Sequence, residues 1–379
     1  MKEIRKQLLK EIKSLKDERG LIKAGHPHYD RFFGRDSLIT SWQLLDIDPD
    51  NCKRTLEILS KFQGKKIDPE KEEEPGKTLH ETDFYRKRHL SGWFPYPYYG
   101  SVDSTLLYLI LFYFYFKKTK NKKFLKKYWK NIASAVNWIE KHGDLDRDLF
   151  LEYQRKNPQG LFHQGWKDMS EKYLKIQPPI AIVEAQGYQY LALKGAAFLA
   201  KTLKKNHLAK KLLNRAQNLK KSFNKSFWME KEKYFALALD GNKKQIKIIT
   251  SNPGHLLFTG ILEKDKIQPA VKRLLKSDLW TNFGIRTHSQ KEPDFDSLSY
   301  QKGSIWPHDN WIVAQGLKKL GYKKEYQKIK KATLRAFLKL GYLPEFYGVM
   351  DNKIVKIPQA CHPQAWASGS LLNFLSSKP

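Results

Sequence analysis

The feature of this sequence that most constrains its fold is an alternation between two kinds of helical segment. Six segments open with a polar residue or glycine and continue as an apolar helix that contains small residues, and they begin near Gly34, Gly100, Pro179, Pro253, Gly303 and Pro363. A lysine-rich segment follows each of the first five. The apolar residues of these second segments recur so as to bury only one face, and the segments span roughly residues 50–62, 121–142, 203–226, 265–276 and 322–340.

This alternation predicts an all-α fold. Helices that are apolar on every side need protein all around them, whereas helices with one apolar face lie at a surface. We therefore expect twelve helices in six hairpins, an (α/α)6 barrel, with the amphipathic residues 1–20 supplying the sixth outer helix. The stretches YFALALD and KQIKIIT around Asp240-Gly241 predict one small β-hairpin. We expect a single domain over residues 1–379, with residues 64–102 as a functional loop.

Charge and cysteine content limit the classes of function. Lys and Arg number 70 against 39 Asp and Glu, and the net charge of +31 alone would favour a nucleic-acid or membrane-surface binder. The lysines lie mainly in the amphipathic segments, which indicates a solvated outer face, and no nucleic-acid-binding motif accompanies them. Two cysteines and an N-terminus without an apolar signal-peptide stretch favour a reducing compartment. We expect a cytoplasmic protein with no metal, no cofactor, no specific nucleic-acid partner and no membrane span; the oligomeric state stays open.

Aromatic residues and carboxylates cluster at the starts of the apolar helices and in nearby loops. The clusters are WFPYPYYG, HQGWKD, SIWPHDN and LPEFYG. Sugars present apolar CH faces and many hydroxyls, so a sugar site needs flat aromatic surfaces beside acids, amides and Arg. The clusters therefore indicate a carbohydrate site, whereas Trp42, Trp129, Trp138 and Trp228 lie within helical stretches and are expected to fill the core.

Eleven motifs in chain order, which span about residues 25–370, carry a resemblance to a known family. They are FGRDSLI, EEPGK with HE, YYGSVDSTLLY, GLFHQGWKDMS, PIAIVEAQGYQY, YFALALDG, TSNPGHLLFTGI, GIRTHS, LSYQKGSIWPHDN, LPEFYG and PQAWASG. The set resembles the amylo-α-1,6-glucosidase family, the C-terminal catalytic domain of glycogen-debranching proteins. The resemblance implies an (α/α)6 six-hairpin barrel, an inverting mechanism and an α-glucan or α-glucoside oligosaccharide as substrate. Many members carry a further domain before the barrel, and only about 25 residues precede the first motif here, so specificity for branched polymers stays open.

The resemblance also implies two catalytic residues. Asp168 of the GWKD motif would be the general acid and Glu345 of LPEFYG the general base. Glycoside hydrolysis independently needs two such carboxyls, which stand about 6.5–9.5 Å apart in inverting enzymes. Burial against Trp166 would raise the pKa of Asp168, and the neighbouring Lys167 would lower it. The residues alone also allow Asp168 to be a turn or helix-capping residue, and Glu345 to be a solvated loop carboxylate.

Further residues are candidates for binding the substrate. Arg35 and Asp36 match a pair with which related glucoamylase-type enzymes hold sugar hydroxyls, although a structural ion pair or a helix cap would also explain them. Glu184 and Tyr188 lie one helical turn apart and are expected to face a cavity. The full set is Arg35, Asp36, Tyr99, Asp103, Trp166, Lys167, Glu184, Tyr188, Arg286, Trp306, His308 and Asp309. A capping role for Asp309 and buried structural roles for Asp103 and Arg286 remain alternatives.

Three classes of function are consistent with these observations. The leading one is an exo-acting, inverting α-glucosidase, with α-1,6 branches as the first choice of bond and linear maltooligosaccharides, trehalose or a glucosylated solute as alternatives. The second is a sugar isomerase or epimerase, which would use His288 and His308 as bases. The third is a non-catalytic binder of carbohydrate or polyanions. The presence of both Asp168 and Glu345 favours the enzyme.

Overall fold

The computed structural model describes residues 1–168, 170–172 and 174–376, and this part of the chain is mostly helical. Its α-helices are α1 (Lys2–Ser14), α2 (Gly34–Leu44), α3 (Pro49–Lys61), α4 (Ser104–Thr119), α5 (Lys122–Lys127), α6 (Trp129–Trp138), α7 (Val183–Thr202), α8 (Asn206–Ser226), α9 (Lys264–Leu274), α10 (Pro307–Lys319), α11 (Lys323–Leu340) and α12 (Ala365–Ser376). A π-helical segment, Ile139–Gly143, continues α6, and a 3-10 helix spans Asn252–Phe258. No helix among the described residues is long and apolar enough to cross a membrane.

The strands are two or three residues long. They are β1 (Phe32–Phe33), β2 (Glu81–Thr82), β3 (Ala181–Ile182), β4 (Trp228–Met229), β5 (Tyr234–Phe235), β6 (Ala238–Leu239), β7 (Gln245–Ile246), β8 (Trp280–Thr281), β9 (Gly284–Ile285), β10 (Gly348–Met350) and β11 (Lys353–Val355). The pairs β1–β2, β3–β6, β4–β5, β8–β9 and β10–β11 are antiparallel. The predicted turn at Asp240-Gly241 is present, since the Asp240 amide donates to the carbonyl of Lys244 at 3.0 Å. YFALALD supplies both β5 and β6, which differs from the single strand predicted there.

The chain packs as two compact units. Unit 1 contains Met1–Asp30, Phe227–Leu237 and Ile246–Pro379, and unit 2 contains Arg31–Ser226 and Ala238–Gln245. The single domain expected over residues 1–379 stays a prediction.

Unit 2 contains three of the predicted helix pairs. α2 packs on α3, α4 on α6 and α7 on α8, while α4 also contacts α2 and α7. α7 is buried on almost every side, whereas α8 buries a single stripe that includes Leu212 and Phe223. Gly195 permits the contact between α7 and α4, because a Cβ there would lie 2.9 Å from the Cβ of Tyr113. The predicted helix over 121–142 is broken at Tyr128, which ends α5 and precedes α6.

Unit 1 contains the other three pairs. α10 packs on α11, α12 on α1, and the 3-10 helix on α9. Ser368 of α12 donates to the buried Glu11 of α1 at 2.6 Å, so the amphipathic N-terminal segment does supply the sixth partner helix. The α-helix predicted from Pro253 is instead the short 3-10 helix. Pro253 lies at its start, and Gly260, with a φ of 88°, follows its end, so the apolar run is too short for a longer helix.

We expect the buried face of α8 to determine the stability of the α7–α8 pair. Leu212 is fully buried, whereas its neighbour Leu213 is 46% exposed. Leu212→Ala should lower the free energy of unfolding by about 2–5 kcal/mol, because it removes buried methyl groups and leaves a cavity. Leu213→Ala is the matched control and should change it by less than about 0.5 kcal/mol. Urea denaturation followed by circular dichroism measures both, and equal effects would contradict the one-faced burial of α8.

Candidate active site

The beginning of α2 places two of the predicted site residues in one helical turn. The Gly34 amide donates to the carbonyl of His80 at 2.6 Å, and a Cβ at Gly34 would lie only 2.2 Å from the carbonyl oxygen of Leu79. Only glycine tolerates so close an approach of backbone to backbone. Arg35 and Asp36 therefore enter the first turn of α2 directly after β1 and are both buried.

Arg35 is the centre of a buried polar cluster in unit 2. Its side chain is 2% exposed, and its Nε lies 2.9 and 2.8 Å from the two carboxylate oxygens of Asp103. Its Nη1 donates to Asp168 at 3.3 Å and its Nη2 to the carbonyl of Gln164 at 3.1 Å. Ser101 donates to Asp103 at 2.8 Å and completes the cluster. The ion-pair partners of Arg35 are thus Asp103 and Asp168.

Two carboxyls of this cluster have raised pKa values. Burial raises the pKa of Asp168 to about 6; Arg35 opposes the rise and the charge of Asp103 adds to it. Burial also raises the pKa of Asp36 to about 7, again opposed by Arg35 and increased by the charge of Asp168. The Asp168 side chain remains 23% exposed. It can therefore hold a proton in mildly acidic solution and still be reached by a ligand.

The other predicted residues of the GWKD segment lie close to this cluster. Trp166 and Lys167 are both buried, and the Lys167 ammonium lies 5.3 Å from the centre of the Trp166 ring. A Cβ on Gly165 would lie 3.4 Å from a carboxylate oxygen of Glu184, so this fully buried carboxylate packs against the same segment. Tyr188, one turn further along α7, is also buried. The expectation that Glu184 faces a cavity stays a prediction.

Tyr99 makes two hydrogen bonds that fix the segment around it. Its hydroxyl donates to the carbonyl of Phe62 at 2.7 Å, and its amide donates to the carbonyl of Lys71 at 2.8 Å. The side chain thus fastens the segment of residues 64–102 to the end of α3. Its hydroxyl serves this structural contact, and the sugar-binding role expected from its sequence neighbours stays a prediction.

Sequence patterns assigned no role to one ion pair beside the cluster, in which the carboxylate is buried. Arg31 forms an ion pair with Glu81, which β1 and β2 bring together by pairing Phe33 with Glu81. Burial raises the pKa of Glu81 to about 6, opposed by Arg31 and increased by the charge of Asp168. Glu81 follows His80 in the HE motif, so the sequence marked this residue as part of a motif but assigned it no function.

Glu345 in unit 1 is a buried and firmly held carboxylate. It is 1% exposed, so it is not a solvated loop residue. One of its oxygens accepts from the Cys361 amide at 3.1 Å, and its own amide donates to the Cys361 carbonyl at 2.9 Å. The other oxygen accepts from the Tyr300 hydroxyl at 3.3 Å, and that hydroxyl lies 3.2 Å from the hydroxyl of Tyr29. Tyr300 lies in the motif LSYQKGSIWPHDN but was given no role there, and sequence patterns gave no signal for Tyr29.

Aromatic rings surround this part of unit 1. Trp306 is stacked on Phe346, with ring centres 5.0 Å apart and planes 15° apart, and Tyr300 meets Trp306 edge-on at 4.9 Å. His308 is stacked on Trp366 with ring centres 3.8 Å apart. The predicted residues Trp306 and His308 therefore belong to the aromatic surroundings of Tyr300, the residue that donates to Glu345.

Asp309 and Arg286 are held in structural contacts. Asp309 accepts from His255 at 2.7 Å, and both residues are fully buried. The Arg286 guanidinium donates to the carbonyls of Val349 at 2.9 Å and Gly303 at 3.4 Å, and burial lowers its pKa to about 10. These contacts agree with the buried structural role that the sequence left open for Arg286.

One group of carboxylates among the described residues has the spacing of metal ligands. It consists of Asp144, Asp146 and Asp148 in unit 2. Lys243 lies 2.7 and 2.8 Å from Asp146 and Asp148, and Arg215 lies 2.7 Å from Asp144. Each of the three carboxylates is thus paired with one of two cations, which offset part of its charge without a metal ion.

Comparison with solved structures identifies the fold. The GH63 mannosylglycerate hydrolase from Thermus thermophilus, in complex with glucose, is similar over 99% of this chain and 100% of that chain, with a TM-score of 0.78 and 14% identity. The same enzyme in complex with Tris and D-glycerate gives a TM-score of 0.76 at 13% identity, with the same coverage. The predicted fold class is thereby confirmed: the protein is all-α, of the (α/α)6 six-hairpin class.

The sequence itself places the chain in a family of glycoside hydrolase domains. Residues 151–353, more than half of the chain, match the family model of the mannosylglycerate hydrolase MGH1-like glycoside hydrolase domain, and the chain belongs to this family. The mannosylglycerate hydrolases MGH1 and MGH2 of Selaginella moellendorffii are each 29% identical over 94 residues, which are 24% of this chain and 18% of theirs. The match thus covers about a fifth of the length of these relatives. The prediction of a glycosidase family is confirmed, but the family shown is not specifically the debranching one.

The raised pKa of Asp36 should make stability depend on pH. A carboxyl whose pKa rises from 3.8 to about 7 on folding favours the folded state when protonated. That contribution is complete below about pH 4 and is lost as the pH rises through 7. Between about pH 5 and 8 the free energy of unfolding of the wild type should fall by roughly 1–4 kcal/mol more than that of Asp36→Asn.

Urea titrations at several pH values measure this difference. Asp46→Asn is the matched control, because Asp46 is 73% exposed in the turn after α2, and it should leave the wild-type pH dependence unchanged. Parallel curves for the wild type and Asp36→Asn would contradict the raised pKa.

Proposed function

We propose that this protein is an inverting, exo-acting glycosidase that cleaves the α-glycosidic bond between a hexose and a small hydroxy acid such as glycerate. The observation that carries the proposal is the carboxyl of Asp168. Burial lets it hold a proton up to about pH 6, yet its side chain remains 23% exposed. The chain also belongs to a family of glycoside hydrolase domains. The debranching of α-1,6-linked glucan and the cytoplasmic location suggested by the sequence stay predictions.

Asp168 is proposed as the general acid. It must be protonated to deliver its proton to the departing glycosidic oxygen, so activity should fall as the pH rises through about 6. Arg35 fixes the orientation of the carboxyl by its contact at 3.3 Å, and it also keeps the pKa from rising further. Arg35 in turn is fixed by Asp103. We assign Arg35 and Asp103 to positioning rather than to direct contact with the sugar.

Glu345 is proposed as the general base that activates the attacking water. Inversion requires a carboxylate in this role on the face of the sugar opposite to the leaving group. The Cys361 amide and the Tyr300 hydroxyl each donate to one of its oxygens, which fixes the orientation of the carboxylate. The stacked pair of Trp306 and Phe346 offers the flat apolar surroundings that a sugar ring requires.

The family and the neighbours of Asp168 support a substrate with an acidic leaving group. The similar proteins named above are mannosylglycerate hydrolases, and one of their structures contains D-glycerate. The leaving group must lie beside the general acid, because that acid protonates the oxygen with which it departs. Lys167 is adjacent to Asp168 in the chain and is 5% exposed, so it is the cation that we assign to the carboxylate of the leaving group.

Loss of either carboxyl should stop catalysis without unfolding the protein. Asp168→Asn removes the proton donor and Glu345→Gln removes the base, and each should lower kcat about 10²- to 10⁴-fold on mannosylglycerate or glucosylglycerate. Glu171→Gln is the matched control, since Glu171 is a 55% exposed carboxylate in the same segment as Asp168, and it should retain full activity. Circular dichroism confirms that each variant is folded. Near-normal activity in either of the first two variants would refute its catalytic role.

The stereochemistry of the released sugar tests the mechanism separately. Water that attacks opposite to the leaving group turns an α-glycoside into the β-sugar. Proton NMR in the first minutes of the reaction therefore should show the β-anomer before mutarotation. Release of the α-anomer would show that the enzyme retains configuration.

Replacement of Lys167 should identify the acidic leaving group. Lys167→Met should raise KM for mannosylglycerate or glucosylglycerate at least tenfold, because a charge-assisted contact is worth about 1.5–3 kcal/mol. The same change should leave kcat/KM for the neutral substrates maltose and isomaltose within about twofold. Lys172→Met, at an exposed lysine of the same segment, is the control. Activity of the wild type on isomaltose alone would return the protein to the debranching type.

A further inference from the structure

Unit 2 contains a cavity that the proposed catalytic groups do not line. Its volume is about 470 Å³, which is within the range of about 300–1,000 Å³ for small-molecule sites. Its walls come from residues 69–77, the end of α6 with the π-helical segment, and the extended segment of residues 152–156. Arg35, Asp36, Asp103 and Asp168 are not part of its wall.

Buried charged side chains form much of this wall. The buried ones are Glu72, Glu74, Lys77 and Glu152, each at most 5% exposed. Glu74 accepts from the indole nitrogen of Trp138 at 2.7 Å, is hydrogen-bonded to Lys156 and lies 3.5 Å from the Lys77 ammonium. Burial opposes ionisation, but Lys77, Lys156 and Trp138 together lower the pKa of Glu74 to about 2. Glu74 is therefore ionised and held in place by its partners before any ligand arrives, and such preorganisation favours binding.

The charges of the wall balance one another. Its carboxylates are Glu72, Glu74 and Glu152, and its Lys and Arg residues are Lys77, Arg155 and Lys156. A wall with equal numbers of both signs favours neither an anion nor a cation. It does offer many acceptors and donors to hydroxyl groups.

Two aromatic side chains complete the wall. Trp138 has its indole nitrogen fixed by Glu74, and the hydroxyl of Tyr153 lies 3.1 Å from the ring nitrogen Nδ1 of His163. Both rings are therefore held in place beside the polar groups. Fixed rings next to hydroxyl-binding groups match a molecule with apolar CH faces and several hydroxyls.

We propose that this cavity is a second, non-catalytic binding site for a neutral polyhydroxylated molecule of the size of a monosaccharide. The site does not depend on the catalytic roles or on the substrate proposed above. It does share one residue with the catalytic cluster, because the Gln164 side chain donates to Glu72 at 3.2 Å and the Gln164 carbonyl accepts from Arg35. A bound molecule would thus touch a residue that supports the arginine beside Asp168.

Leu145 provides a way to close the cavity without disturbing its charged groups. This residue lines the cavity and is 46% exposed, so a larger side chain can be accommodated there without strain in the core. Leu145→Trp should fill the opening, and Leu145→Met, which conserves volume, is the matched control. Thermal unfolding should show that both variants are folded.

Equilibrium dialysis with radiolabelled glucose tests the proposal on the full chain. The wild type and Leu145→Met should bind glucose at the cavity, and Leu145→Trp should raise the dissociation constant for this site at least tenfold. Inhibition of hydrolysis by glucose should have the same inhibition constant in all three proteins, because it reports on the catalytic site. Glucose should bind the cavity more tightly than gluconate or glucosamine. Identical glucose isotherms for the wild type and Leu145→Trp, or a preference for either charged sugar, would overturn the proposal.

Discussion

A guanidinium that is buried from water has to be surrounded by negative charge, and Arg35 finds its partners in two other stretches of the chain. An unpaired ion in a protein interior costs several kcal/mol, so Arg35 is stable only where Asp103, Asp168 and the Gln164 carbonyl reach it together. The beginning of α2, the residues before α4 and the GWKD segment must therefore fold into register with one another. The same cation limits the rise in the pKa of Asp168, so it affects both packing and acidity.

The interactions that hold the carboxylate of Glu345 differ from those around Arg35 and Asp168. A backbone amide and a tyrosine hydroxyl hold it, and both are neutral donors. Asp168, in contrast, lies among other acids and a cation, which together decide when it carries a proton. This difference in surroundings matches the two roles proposed for the carboxyls, since a proton donor and a base need different environments to act at one pH.

Much of the fold could be predicted from the sequence, because the burial of each helix is repeated along its own residues. The segments predicted at 50–62 and 322–340 are α3 and α11, with ends that differ by at most one residue. The predicted helices are wrong where single residues limit their length. Pro253 and Gly260 restrict one predicted helix to seven residues, and Tyr128 divides another. The partners of site residues were harder to predict. Asp103 is 68 residues from Arg35, and the carbonyl that meets the Tyr99 hydroxyl is 37 residues away, so only the folded chain brings them together.

The contact between α1 and α12 has a consequence for the order in which the chain acquires structure during translation. Glu11 and Ser368 are separated by 357 positions, so α1 leaves the ribosome long before its partner helix exists. At about 5–20 residues per second, this delay is on the order of 20–70 s. During that time the apolar stripe of α1, with Leu8 and Ile12, lacks the helix that covers it. The pairs α2–α3 and α7–α8, whose members are neighbours in sequence, face no such delay. The nascent α1 therefore has an apolar stripe that a chaperone could cover until α12 is made.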